Sequence, residues 1–303
     1  MKRVIVLGGS GFFGGLIVER LRAAGLQPLV ASRSRGDLRI DANNAEEIRG
    51  SVKQRDLVID AAGPFQTRTP ALIDAAMRIG FDIIDLSDSA EYTAMMYERE
   101  TPIGAAGIRV LTACSTLSAV SAAMLNSSTV EEPRRLTVYL RPESHYTANA
   151  AAVESFLRSI EGADRRGLKV KSVDTVTLPR FFPSLTRIEF IVDTGHTSGN
   201  FLLQFDWFRR LIAGHQMTAV KLARRIGMTE GIVRYEISSA LRHREQTFSG
   251  KKSYMLAVLP AIQAATAIAS GSFAHRGLVP PTNHIDAEEL FAAVRREGIT
   301  VSF

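Results

Sequence analysis

Arg3-Val4-Ile5-Val6-Leu7-Gly8-Gly9-Ser10-Gly11-Phe12-Phe13-Gly14 decides the fold of this chain. Residues 3–7 are a short apolar, β-branched run that stops at glycines, the pattern of a buried strand. Over 13–24, Leu16, Ile17, Leu21 and Ala24 share one helical face, and Gly25 ends the helix. Gly9, Gly11 and Gly14 satisfy G-x-G-x-x-G, and Gly8, Gly11 and Gly14 satisfy the looser G-x-x-G-x-x-G. Glycines also serve plain strand-to-helix turns. Here the motif follows a strand and opens a helix, the context that a dinucleotide-binding loop requires. The first glycine then allows the tight turn, Gly11 lets the backbone approach a pyrophosphate, and Gly14 lets helix and strand lie close. The helix start offers N–H groups and a positive dipole end to phosphate. The expected phosphate loop is therefore Gly8, Gly9, Ser10, Gly11, Phe12, Phe13 and Gly14.

Working outward, residues 28–31 read as a second strand running into Ser32-Arg33-Ser34-Arg35. NAD sites place an acid about 20 residues past the glycines to bind the ribose hydroxyls. Two hydroxyls and two guanidiniums stand here instead, and arginine forks suit the 2′-phosphate of NADP. The expectation is NADP(H) rather than NAD, held by Ser32, Arg33, Ser34 and Arg35; the competing reading is an exposed basic loop with no ligand. Asp41 falls where the next strand should end, either against an adenine amino group or as a turn carboxylate.

The first third alternates strands with helices. Strands are expected at 57–59, 83–84 and 108–111, and helices at 44–49 and 70–79, the latter opened by Pro70. This is the signature of βαβ units and a parallel, Rossmann-type sheet. Near Glu131-Glu132-Pro133 the pattern changes. Residues 136–141, 173–178, 187–192 and 232–239 alternate as half-exposed strands, with helices near 149–160, 200–226, 254–269 and 286–297. The expected fold class is α/β: a Rossmann domain over 1–132, an α+β substrate or dimerisation domain with a mixed or antiparallel sheet over 133–270, and a C-terminal helix in 271–303 that packs back on the first domain.

Composition agrees with a folded core, at 46% hydrophobic and 22% charged residues. A single cysteine, Cys114, excludes an intrachain disulfide and fits a reducing compartment. A cytoplasmic location is expected, since the apolar start is too short for a signal core and the apolar run 255–269 is too short to span a membrane. Residues 1–132 carry 14 Lys+Arg against 16 Asp+Glu, and residues 133–303 carry 23 against 15. The basic second half suits an anionic substrate or a membrane surface, though solvated helix faces are the favoured reading. No aromatic-interleaved basic stripe suggests nucleic acid.

With these residues in place, the first domain resembles the NADP-binding domain of the saccharopine dehydrogenase (saccharopine reductase) family. Asp56-Leu57-Val58-Ile59-Asp60-Ala61-Ala62-Gly63-Pro64-Phe65 is similar to the family's strand and Ala-Gly-Pro-Phe turn beside the cofactor. Gly80-Phe81-Asp82-Ile83-Ile84-Asp85-Leu86-Ser87-Asp88 resembles its glycine-led strand, and Leu259 to Val279 its late helix and Gly-rich turn. The resemblance implies an NADP(H)-dependent oxidoreductase acting on an imine, carbonyl or enoyl group of a small or lipid-linked substrate. It places Ala61, Ala62, Gly63, Pro64 and Phe65 against the cofactor, and the loop at Cys114-Ser115-Thr116 near the nicotinamide. It also implies a homodimer through the second domain's sheet. Ala113-Cys114-Ser115-Thr116-Leu117 departs from the family's glycine- and proline-containing loop.

Hydride transfer asks the protein for orientation, a dry pocket and a proton source. Asp88 and Cys114 are the candidates by position, with Tyr92 and Ser115 beside them. Arg141, His145 and Arg180 are candidate anion ligands in the second half. None of the tyrosines (92, 97, 139, 146, 235 and 254) has Lys four residues on, so the acid of a short-chain dehydrogenase is absent. The histidines show no H-x-H or H-E-x-x-H spacing, and no metal site is expected. The alternative to an enzyme is a non-catalytic NADP(H)-binding regulator or redox sensor. The stretch Asn200 to Ile226, apolar at one end and basic at the other, reads as a core helix, a lid, a dimer interface or a membrane-facing surface.

Overall fold

The computed structural model describes residues 2–303. The chain divides into two compact units. The first takes the residues up to Val120 together with Ala257–Asp286, and the second takes Ser121–Leu256 and Ala287–Phe303.

The first unit is built on a seven-stranded sheet. Its strands are β1 (Val4–Leu7), β2 (Leu29–Ser32), β3 (Leu38–Arg39), β4 (Leu57–Asp60), β5 (Asp82–Asp85), β6 (Arg109–Leu111) and, from the later segment, β13 (Gly277–Leu278). The order across the sheet is β3-β2-β1-β4-β5-β6-β13, and every pairing is parallel. This is the Rossmann-type α/β arrangement. Strand order runs away from β1 in both directions, so the chain reverses between β1 and β4. In open sheets of this kind ligands bind outside the carboxyl ends of the strands at such a reversal. Val4 to Leu7, Leu57 to Ile59 and Ile83 to Ile84 are buried along their whole length, as strands covered on both faces must be. The helices Phe12–Ala23 and Leu259–Ser270 pack against each other, the second also lies on β4 and β5, and Ala71–Ile79 lies on β5. The helix Ala45–Ser51 starts where the Asn44 side chain accepts from the N–H groups of Glu46 and Glu47.

The return of Ala257–Asp286 to the first sheet differs from the expected break at residue 270. The edge of β6 pairs with β13, and Arg109 donates to the carbonyl oxygens of His275 (3.0 Å) and Phe273 (3.3 Å).

The second unit holds a mixed seven-stranded sheet. Its strands are β7 (Arg135–Arg141), β8 (Ile160–Asp164), β9 (Gly167–Val170), β10 (Arg187–Val192), β11 (Gly231–Ser238), β12 (His243–Gly250) and β14 (Thr300–Ser302). The order is β14-β12-β11-β7-β10-β9-β8; β7 and β10 are parallel and the other neighbours antiparallel. Along β11 every second residue is buried, Val233, Tyr235 and Ile237 among them. One core cluster joins Leu157, Ile160, Leu168, Val170, Val192 and Leu203. The helix Ala287–Arg296 groups with this unit, not with the first as expected, because the strand after it, β14, pairs with β12.

Two expected elements take other forms. Residues 173–178, expected as a strand, form the helix Asp174–Thr177 and a turn of 3-10 helix from Leu178. Val173, Thr177 and Leu178 are buried, a helical spacing hidden inside an alternating one, and the Ser172 hydroxyl takes the N–H of Asp174. The single helix expected over 200–226 is three: Thr197–Leu203, Asp206–Gly214 and Gln216–Ile226.

Candidate functional site

The glycine loop leaves the carboxyl end of β1. The N–H of Gly8 donates to the Ala31 carbonyl, and that of Gly11 to the Gly8 carbonyl, both at 2.8 Å. Gly8 has φ of +73°, and a Cβ there would lie 2.8 Å from the Ala61 carbonyl oxygen. A Cβ on Gly14 would overlap the Gly8 carbonyl. Both positions therefore need glycine for the loop to close against β4 and the helix to lie on the loop. Gly11 differs: a Cβ there meets only the Gly8 oxygen, at 3.1 Å, and otherwise faces open space. The helix that begins at Phe12 has no side-chain cap and no acid in its first turn. Its dipole end is thus left positive toward that space. Ser10 and Gly11 are exposed, and Phe12 and Phe13 stand edge to face beside them with centroids 5.1 Å apart.

The end of β2 lies next to this loop, paired with β1. Its serine is already engaged. The Ser32 hydroxyl donates to the Arg35 carbonyl and accepts the N–H of Arg35 at 2.8 Å and of Ser34 at 3.3 Å. Ser32 therefore shapes the turn, while Arg33, Ser34 and Arg35 are exposed and neither guanidinium is in an ion pair among the described residues. Asp37 is the acid of this turn, and its carboxylate is occupied by the N–H of Val30 at 2.8 Å. Asp41 accepts the N–H of Asn43 at 2.9 Å, the geometry of a turn carboxylate.

Between β4 and the next helix, Ala61-Ala62-Gly63-Pro64-Phe65 passes close to the glycine loop: Ala61 donates to the Leu7 carbonyl at 3.0 Å. The Gly63–Pro64 bond is cis. This turn is held from below by a group that the sequence did not single out. Asp60, the last residue of β4, is fully buried, and its Oδ1 accepts from the Ala62 N–H and the Arg68 guanidinium, each at 3.0 Å. Arg68 also donates to the Ala62 carbonyl, and its guanidinium carbon lies 5.2 Å from the centre of the Phe65 ring. Burial pushes the Asp60 carboxyl up, and the charge of Arg68 pulls it back.

Asp85 ends the neighbouring β5 and is also fully buried. Its Oδ1 accepts from the N–H groups of Ser87 (3.0 Å) and Ala113 (2.8 Å), so it ties the end of β5 to the loop after β6. No guanidinium accompanies it, and burial raises its pKa to about 7. Tyr92 is buried with its ring 5.5 Å from that of Phe65, and its phenol is pushed well up by burial and by Asp85 and Asp60. Asp85 Oδ2 and Tyr92 Oη are both buried, and the Thr112 side chain tempers the rise at Asp85.

Of the other candidates, Cys114 is fully buried, and burial together with Asp85 raises its thiol well above the usual range. The structure holds it as a thiol, not a thiolate. Ser115 donates to the Ala257 carbonyl at 3.0 Å. Asp88 is exposed and accepts from Gln66 at 3.3 Å. In the second unit, Arg141 is bound to Asp193 at 2.7 Å and to the Tyr139 hydroxyl at 3.1 Å. Burial alone would raise Asp193, but hydrogen bonds from Tyr139, Asn200, the Gly195 N–H and Arg141 outweigh it and hold this carboxyl well below its ordinary range. His145 and Arg180 are exposed.

No family model and no curated protein matches this chain. Solved structures match it in fold. GenD2 from gentamicin A biosynthesis, in complex with NAD, is 11% identical over 100% of this chain and 97% of its own, with a TM-score of 0.47. A dehydrogenase (MviM) from Clostridium difficile is 7% identical over 98% and 99%, with a TM-score of 0.45. UDP-N-acetylglucosamine 4-epimerase from Bacillus cereus is 23% identical, with a TM-score of 0.25, and the match spans 28% of this chain but only 39% of the epimerase. At such identities and scores the likeness is one of chain path alone.

Proposed function

We propose that this chain binds NADP(H) on the glycine loop of its first unit. It acts as an oxidoreductase of saccharopine dehydrogenase-like type, passing hydride between that cofactor and a carbonyl, imine or enoyl group. The observation that carries the reading is the start of the helix at Gly11. It is uncapped, free of acids and open on the side where a Cβ would stand, at the switch point of a parallel sheet. The residues fit a pyrophosphate there: Gly8 and Gly14 close the loop, and the helix N–H groups face the open side.

The exposed guanidiniums of Arg33 and Arg35 support NADP over NAD, since the one acid of their turn, Asp37, is bonded to Val30. When bound, the cofactor supplies the hydride chemistry. The chain's own residues hold it in place. Arg68 and Asp60 brace the turn Ala61 to Phe65, and Asp85 braces the loop at Ala113. Among the candidate acids of this unit, Asp88 keeps an exposed carboxylate, while Tyr92 and Cys114 are sealed and protonated.

The burial of Tyr92 and Cys114 favours a second reading, a regulator that binds NADP(H) without turning it over. Calorimetric titration with NADPH and, separately, NADH tests the shared premise. Tight NADPH binding with weak NADH binding is expected, and absence of binding by either refutes both readings. Consumption of NADPH with any carbonyl, imine or enoyl compound then separates enzyme from regulator.

A further inference from the structure

The second unit carries a surface unlike the rest of the molecule. Large apolar side chains that stand exposed are concentrated on Thr197–Leu203, Asp206–Gly214 and Gln216–Ile226: Phe201, Trp207, Leu211, Met217, Leu222 and Ile226, with Phe205 at the margin. Trp207 and Met217 are more than 60% exposed. These helices are not short of a core, since Leu203, Phe208 and Ile212 pack inward on the cluster of Leu157, Leu168 and Val192. The outward side chains are a second apolar set, on helices whose inner face is already satisfied. Exposed patches of this kind mark an interaction surface.

Charge says what covers it. The same stretch carries Arg209, Arg210, Lys221, Arg224 and Arg225 against one acid, Asp206. Asp206 is spent on Arg209, and Arg224 donates to the Ala148 carbonyl. Arg210, Lys221 and Arg225 are exposed and, among the described residues, in no ion pair. A second copy meeting this face through a two-fold axis would set cations against cations. A bilayer with anionic headgroups satisfies both halves of the surface at once. Trp, Phe, Leu and Met enter the headgroup–acyl boundary while Arg and Lys meet phosphate, the composition of a helix that lies in the interface. No helix among the described residues is long and apolar enough to cross a membrane.

We propose that the helices from Thr197 to Ile226 form a peripheral docking surface for an anionic lipid bilayer. The inference does not depend on cofactor binding, and its test is separate. Trp207 is the only tryptophan in the chain, so intrinsic fluorescence reports from the surface itself. The 303-residue chain is mixed with vesicles of phosphatidylcholine containing phosphatidylglycerol, and with vesicles of phosphatidylcholine alone. The expected result is a blue shift of emission and co-flotation with the anionic vesicles only, reversed by high salt. Replacing Arg210, Lys221 and Arg225 together by Gln should weaken partitioning by roughly fivefold per charge, on the order of a hundredfold in all. The double variant Leu211→Ser/Met217→Ser should weaken it while leaving its salt dependence in place. All replaced side chains are exposed, so thermal unfolding should stay as in the parent. Unchanged emission with anionic vesicles overturns the proposal. So does equal binding to phosphatidylcholine alone, a triple variant that binds like the parent, or a blue shift that follows protein concentration and a doubling of mass without lipid.

Discussion

Asp60 and Asp85, the last residues of β4 and β5, stand opposite one another in the sheet register, both sealed from water, and only Asp60 has a guanidinium beside it. The pair sits at the carboxyl edge of the sheet, Asp60 under the turn beside the glycine loop and Asp85 under the loop after β6. Their different surroundings give them different behaviour.

Asp85 should make stability fall as pH rises. Its folded pKa, about 7, lies above the usual carboxylate value, so between about pH 4 and 7 the unfolded chain releases a proton that the folded chain retains. That range favours the unfolded state increasingly, and above pH 7 the loss is complete. Asp85→Asn keeps an oxygen for the N–H groups of Ser87 and Ala113 and carries no charge. Urea unfolding should show the variant about equal to the parent at pH 4 and more stable at pH 8, by on the order of a few kcal/mol. Equal pH profiles would show that Asp85 is ionised in the native protein.

Arg68→Met should destabilise at neutral pH. It removes the charge partner of a fully buried carboxylate and the donor to the Ala62 carbonyl. Breaking a buried pair from one side costs about 3–5 kcal/mol. The loss should be partly recovered in Arg68→Met/Asp60→Asn, because the uncompensated charge is then gone. A double variant no more stable than the single one would mean that the guanidinium acts by packing on Phe65.

Gly14→Ala and Gly11→Val separate folding from binding. The first puts a methyl group into the Gly8 carbonyl and should lower thermal stability, by roughly 1–3 kcal/mol, as well as abolish dinucleotide binding. The second meets the Gly8 carbonyl oxygen at 3.1 Å and otherwise open space. It should lower thermal stability less than Gly14→Ala does and still abolish binding of NADPH and NADH in calorimetry. Normal binding by Gly11→Val would remove the pyrophosphate from this loop.

Arg33→Ala and Arg35→Ala address the choice of cofactor. Each should weaken NADPH binding by about 1.5–3 kcal/mol, the worth of a hydrogen bond to a charged group, and leave NADH binding almost unchanged. Both arginines are exposed, so thermal unfolding of each variant should match the parent. Equal losses for the two dinucleotides would detach these arginines from the 2′-phosphate.

Much of the first unit was legible because its signals are local. A β-branched run, a glycine cluster and a helical face follow one another within residues 3 to 24, and Asn44 announces the helix it caps. Arg33 and Arg35 could be read because they follow β2 directly. The brace of Asp60, Arg68 and Asp85 was not read, although a signal existed: each of two apolar strands ends on an aspartate. The second unit was less legible. Val173 to Leu178 fits a strand and a helix equally well by pattern, and the structure settled it by burying Val173, Thr177 and Leu178 together.

The sequence by itself determined the parallel α/β class, the glycine loop and the basic turn beside it, since each depends on residues within a few positions of one another. Only the tertiary structure showed that the Ser32 hydroxyl and one Asp41 oxygen bond within their own turns, and that Cys114 is fully buried. It alone sent the segment 257–286 back to β6 and left Trp207 and its apolar neighbours facing water. The reason is common to all of these. Burial, pKa and exposure depend on which distant strands and helices come to lie alongside, and strand register across a sheet is set by packing, not by neighbours in the chain.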